Sequence, residues 1–394
     1  MQSLSSSTAD VSPIEPVHNR PKSRFYRPEL DVLRFFAFIC VFVHHSLDLQ
    51  TLAPSLLNTS FGNIFQSVVT SLNTAVSLFF FLSSYLITGL LDAELESTGK
   101  LHIKSFYVRR ILRIWPLYYA FFGFCILFGL AIPHYRIAKD TLLAFVFFAG
   151  NWHFVVHGWG AASRSYGILW SVSIEEQFYL VCPFMVQLFK RKGLIVLSAF
   201  LMLASYAALF WLDRTGHAGD SILRPNTLVQ MQYFAAGTLA ALFMRGRNFS
   251  VSRGYRLLLF SAGLIFWITG RFWFDFPPAT IEHSPWPAIL NYFFVLVGCI
   301  CIFFSFLGLR REIFPESFIE LGKISYGLYV YHAFILYSIH ALCHGVLAKP
   351  GFQLTADAIA LVTTIVVAKL SYRWLESPFL KLKERFTFIK NRAV

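Results

Sequence analysis

Arg34 and His45 stand at the two ends of an apolar run, RFFAFICVFVHHS, with ten residues between them. On a helix, eleven steps of 100° return to within about 20° of the same face, and the two groups are separated by about 16 Å along the axis. His44 is turned about 80° away from that face. Asp31 and Asp48 lie about one turn outside the two ends, so the four polar groups form a rough stripe. Two readings are open. Arg34 snorkels to a membrane surface while His45 bonds a neighbouring carbonyl, or the arginine grips a phosphate and the imidazole is a general base, with Asp48 orienting its ring.

Other chemistry-bearing residues recur in apolar surroundings. LWSVSIEEQFYLVCP (169–183) carries Glu175 and Glu176. Adjacent helical residues point about 100° apart, so at most one faces a given cavity. The pair either positions an acceptor and polarises His45, or forms interhelical hydrogen bonds. FYVRRILRIWP (106–116) places Arg110 and Arg113 one turn apart. They suit bidentate binding of a diphosphate, or they are basic membrane anchors. Ser83 in FFFLSSYLIT is a site residue or a small packing residue, and in LGKISYGLYVYHAF the groups Ser325, Tyr329 and His332 share a stripe. For His332, site-lining and structural roles stand equal. In YRWLESPF, the i, i+3 spacing predicts a local Arg373–Glu376 ion pair.

The elements that must position these residues are membrane helices. Of 394 residues, 56% are hydrophobic and only 14% charged, against about 25% charged in a soluble domain. Apolar runs fall near 30–50, 68–91, 114–132, 169–189, 193–212, 227–244, 254–274, 286–307, 324–343 and 355–375. The run at 140–150 is too short to cross a core of about 30 Å and is expected to be re-entrant or interfacial. With both termini cytoplasmic, Lys and Arg favour the inner loops by about four to one, which accounts for the net charge of +13 without nucleic acid. The expected fold is all-α, a polytopic membrane bundle of about ten crossings. Residues 25–382 form one domain between a disordered cytoplasmic tail (1–24) and a short basic tail (383–394).

Together these motifs resemble the membrane acyltransferase-3 family, which O-acylates surface polysaccharides and other acceptors. The resemblance rests on the Arg-x10-His pattern of Arg34 and His45, on R-x-x-R at Arg110 and Arg113, and on LWSVSIEEQFYL. The GKISYGLYVYH and YRWLESPF segments follow in family order. FFFLSSYLIT departs from the family's F-x-x-S-G-F-L-I, because Ser84 and Tyr85 stand at the Gly and Phe positions; close backbone approach there is in doubt and the acyl-donor passage is expected to be reshaped.

The resemblance implies a membrane O-acyltransferase, in a bacterial inner membrane, that moves an acyl group, acetyl first, from acyl-CoA to a hydroxyl of a carbohydrate or lipid-linked glycan. His45, Glu175 and Glu176 would be catalytic, Arg34, Arg110 and Arg113 would hold the CoA phosphates, and Ser83, Tyr329 and His332 would contact substrate. No resident cofactor is expected. A proton-coupled transporter or flippase, and an assembly subunit of a polysaccharide exporter, remain as alternatives.

No metal is expected. The six cysteines fall in or at the ends of apolar runs, and His153 and His157 lie in a Gly-rich stretch expected to be irregular. GDS at 219–221 has the triplet of SGNH hydrolases but lies in a short loop, and the residues after the last span are too few for such a domain.

Overall fold

The computed structural model describes residues 26–47, 59–132, 135–159, 164–217, 219–277, 284–343 and 352–386, and among them every regular element is helical. Both expected tails, for the most part, and Asp48 lie outside the described residues. Pro28 opens α1 (Pro28–Ser46), where its fixed φ and missing N–H suit the first turn. α2 (Ser60–Ser71) runs through a 3₁₀ turn into α3 (Ala75–Thr98), which Gly99 ends in the left-handed conformation. α4 (Ile103–Ala131) follows. The short run near 140–150 becomes α5 (Lys139–Val146), joined to α6 (Gly150–His157). Eight residues of helix rise only about 12 Å, so neither crosses a bilayer.

α7 (Trp170–Arg214) is broken inside at Lys190, whose φ of 48° and ψ of −168° are not helical. The break falls in the basic triplet Lys190–Arg191–Lys192, the expected boundary between two spans. α8 (Thr227–Met244), α9 (Arg253–Asp275) and α10 (Trp286–Phe306) follow. α11 (Glu316–Lys323) and α12 (Ser325–Leu342) carry the GKISYGLYVYH segment. α13 (Phe352–Ser371) passes through a π-helical turn at Tyr372–Glu376 into α14 (Ser377–Glu384).

Seven helical stretches among the described residues are long and apolar enough to cross a membrane, not the ten expected. The difference has a physical origin. α7 is continuous by hydrogen bonding across its break, α1 carries Glu29, Asp31 and Arg34, and α12 carries four tyrosines and two histidines. Exposed Leu127, Leu188, Val196, Leu203 and Leu257 leave an apolar exterior of the kind lipid covers.

The doubt over Ser84 and Tyr85 is answered here. Ser84 is fully buried against α8, where Gly237 lies so close that a Cβ would overlap Ser84 Oγ and the Phe81 carbonyl. The small residue that lets α3 and α8 meet is on the partner helix. Tyr85 packs on Phe303 of α10 at 4.7 Å.

Candidate active site

α1, α3, α4, the first half of α7 and α12 converge on one cavity. Arg34, Arg110, Arg113, Ser83, Glu175, Ser325 and Tyr329 all line it. Seven residues singled out on five separate sequence segments are thus brought together. Arg34 shares its charge with Asp31 at 3.3 Å, one turn away as the spacing predicts. The Arg110 guanidinium lies over the rings of Phe106 and Tyr179 at 5.9 and 5.8 Å, and its Nε has no hydrogen bond. Its chain neighbour Arg109 instead pairs with Glu94 at 3.0 Å. Successive side chains diverge on a helix, so α4 gives one arginine to a structural ion pair and two to the cavity.

The glutamate pair separates in the same way. Glu175 faces the cavity and accepts hydrogen bonds from Ser83 Oγ at 2.9 Å and the Tyr179 hydroxyl at 3.1 Å. Glu176 turns aside and accepts from Trp115 Nε1 at 3.1 Å; it is not in the cavity wall. At the far end the Tyr329 hydroxyl meets Ser171 Oγ at 2.8 Å.

Neither His45 nor His332 lines the cavity. His332 is fully buried one layer beyond Tyr329, with Nδ1 2.6 Å from the Tyr329 carbonyl. That bond makes Nδ1 the donor, so in the neutral ring Nε2 carries no proton. The His45 ring lies 5.4 Å from the His332 ring and 5.0 Å from that of His44, with Nδ1 3.4 Å from the Tyr337 hydroxyl. The order from the arginines is therefore cavity, Tyr329, His332, His45.

Tyr179, Ser171 and Tyr326 line the cavity and escaped the sequence reading. Helical spacing could have found them. Ser171 and Tyr179 are each four residues from Glu175, and Tyr326 is three before Tyr329, so each shares a face with a residue already chosen.

Two other expectations are corrected. Arg373 and Glu376 do not pair: Glu376 is buried and faces Ser371 Oγ at 3.5 Å, while Arg373 is exposed. The π turn widens the helix there and destroys the i, i+3 alignment. The stretch holding His153 and His157 is helical, not irregular, so the two rings stack at 4.5 Å and stand near Asp140. These three offer ligand atoms within 4.8 Å of one another, although His153 Nε2 already meets Thr141 Oγ1 at 3.2 Å. The GDS triplet is structural: Asp220 bridges Arg224 and Arg271.

The acyltransferase-3 family model, described as an acyltransferase domain, matches residues 27–373. A peptidoglycan O-acetyltransferase of Listeria monocytogenes is 27% identical over 91% of this chain and 56% of its own length. A putative peptidoglycan O-acetyltransferase of Bacillus subtilis is 24% identical over 92% of this chain and 56% of its own. An O-acetyltransferase of Staphylococcus aureus is 25% identical over 90% and 57%. The chain spans a little over half the length of these relatives. No solved structure matches it.

Proposed function

This chain belongs to the acyltransferase-3 family, and from that premise we propose that it is an integral membrane O-acyltransferase. It moves an acyl group, acetyl first, from acyl-CoA on the cytoplasmic side to a hydroxyl of a glycan. The names of its relatives favour a peptidoglycan-type acceptor. One observation carries the reading: three arginines and a hydroxyl-capped glutamate meet in one cavity between membrane helices.

The chain crosses the membrane ten times, counting α7 twice and adding α1 and α12, with both termini cytoplasmic. Arg34 lies three residues after Asp31 and five after Glu29, the buried carboxylates of the first turn of α1, near the inner surface. The CoA phosphates dock on Arg110, Arg113 and Arg34 through charge-assisted bonds. The pantetheine arm runs along the cavity and carries the thioester past Tyr329 toward the imidazoles. His45 removes the acceptor proton, the new alkoxide attacks the thioester carbonyl, and the C–S bond breaks. The departing thiolate takes up the proton. Glu175, held in place by the hydroxyls of Ser83 and Tyr179 that donate to it, positions the acceptor.

The test uses the purified protein in nanodiscs with radiolabelled acetyl-CoA, comparing wild type with His45→Ala and Arg113→Ala. Thioester loss in wild type, absent in His45→Ala and weakened in Arg113→Ala through the donor KM, is the expected result. Full activity in a folded His45→Ala protein refutes the assignment of the base.

A further inference from the structure

α5 and α6 form a short antiparallel hairpin whose two ends differ in surroundings. Its closed end, the turn at 147–149, is seated in the bundle. Tyr118 and Tyr119 of α4 donate to the Phe145 and Val146 carbonyls at 2.7 and 3.0 Å, and Gln177 Nε2 of α7 donates to the Phe148 carbonyl at 2.9 Å. The Phe148 ring lies 5.8 Å from that of Trp115, the residue that donates to Glu176. The open end brings the first turn of α5 beside the last turn of α6. Asp140, His153 and His157 meet there, and each offers a ligand atom within 4.8 Å of the others.

The two rings are held as ligating imidazoles are. His153 is buried, and its Nδ1 stands 3.9 Å from an Asp140 oxygen. His157 follows one turn later, and the rings stack at 4.5 Å. His157 Nδ1 donates to the His153 carbonyl at 3.1 Å, so its neutral ring presents Nε2 as the lone pair. His153 Nε2 lies 3.2 Å from the buried Thr141 hydroxyl. Ligation through Nδ1 puts the proton on Nε2, and that hydroxyl can accept it. Such outer partners fix the ring and tautomer of a metal-bound histidine. Two imidazoles and a carboxylate suit a borderline divalent cation such as zinc, whereas calcium and magnesium take oxygen ligands. Zinc bonds of about 2.0–2.2 Å set tetrahedral ligand atoms about 3.3 Å apart, so the three groups must draw together by up to about 1.5 Å. Asp140 and His157 are exposed and have room to swing, while His153 is the fixed member.

We propose that Asp140, His153 and His157 bind one zinc-type divalent cation, with water in the remaining position. The ion clips the open end of the hairpin, and through α5 and α6 it steadies the turn packed on Trp115 and Gln177. The proposal stands independently of the acyl-transfer reading.

The test is competition for Zn²⁺ between the metal-stripped full chain, in tag-free nanodiscs, and a chromophoric chelator. One ion per wild-type chain should bind. His157→Ala and Asp140→Asn should each weaken it by about a hundredfold, the upper end of what even an outer partner of a ligand contributes. Thr141→Val, which removes only that outer partner, should weaken it about tenfold. His217→Ala, at an exposed histidine elsewhere, should leave it unchanged. Matching thermal unfolding of the metal-free proteins checks the fold of each variant. Co²⁺ in place of zinc should give the intense visible bands of a four-coordinate site in wild type and lose them in His157→Ala. A folded wild type that binds zinc no better than His157→Ala, or an affinity that falls as far in His217→Ala, overturns the proposal.

Discussion

If the arginine-lined cavity takes acyl-CoA as proposed, its three arginines should not contribute equally. Arg34 is already engaged by Asp31 at 3.3 Å, and Arg113 lies within the electrostatic reach of Glu376. Arg110 has no ion pair among the described residues, lies only over two aromatic rings and retains an unbonded Nε. It therefore has the most donor capacity to give a phosphate. A hydrogen bond to a charged group contributes about 1.5–3 kcal/mol, and about 1.4 kcal/mol is a factor of ten. Arg110→Gln should raise the donor KM by about ten- to a hundredfold, Arg113→Gln by less, and Arg34→Gln least, because its guanidinium is already committed to Asp31. The assay is initial-rate thioester loss against acetyl-CoA concentration in nanodiscs, at fixed low salt, since screening weakens partly exposed charges. The acceptor KM should not move. Equal effects of all three, or a fall in kcat with an unchanged donor KM, would refute the argument that uncommitted guanidinium capacity sets donor binding.

Glu175→Gln should lower kcat severalfold or more, since the carboxylate that fixes Ser83 and Tyr179 is lost, while Glu176→Gln, retaining an acceptor for Trp115, should leave kcat within about twofold; steady-state rates of the two variants decide. Gly237→Ala should destabilise the bundle by about 1–3 kcal/mol, because its Cβ would overlap the Phe81 carbonyl as well as Ser84 Oγ. Ser84→Gly should therefore not rescue it, and thermal unfolding of the single and double variants in detergent measures this. His45→Ala should abolish transfer with acetyl-CoA affinity intact, because His45 lies beyond the arginine-lined cavity; equilibrium binding of acetyl-CoA beside the turnover assay separates the two.

Much was legible before any tertiary contact was known. Apolar runs, alternating basic loops and a basic triplet located the helices and the break at Lys190, because a lipid environment demands helices and tolerates charge only at their ends. Single-helix geometry also set which residues share a face. The Asp31–Arg34 pair and the divergence of Glu175 from Glu176 both follow from 100° per residue. Where the local helix departs from that geometry the same reasoning failed, as at the π turn that separates Arg373 from Glu376.

What one helix does not encode is which face meets which neighbour. The sequence set Arg34 and His45 on one stripe, but only the packing of α12 against α1 decided that Tyr329 and His332 stand between the cavity and the imidazole. The sequence marked the missing glycine at Ser84, but the compensating Gly237 lies on another helix, about 150 residues away, and no local rule joins them. A second cavity, walled by Gln230 and Tyr233 of α8, Arg271 of α9, Asn291 of α10 and the turn at Asp220, gathers residues that look like ordinary interior polar groups one by one. The chain's own chemistry determined a helical membrane protein with a particular set of reactive groups. Their assembly into two adjoining cavities was decided by long-range packing, because contact between distant segments depends on the shapes of both surfaces at once.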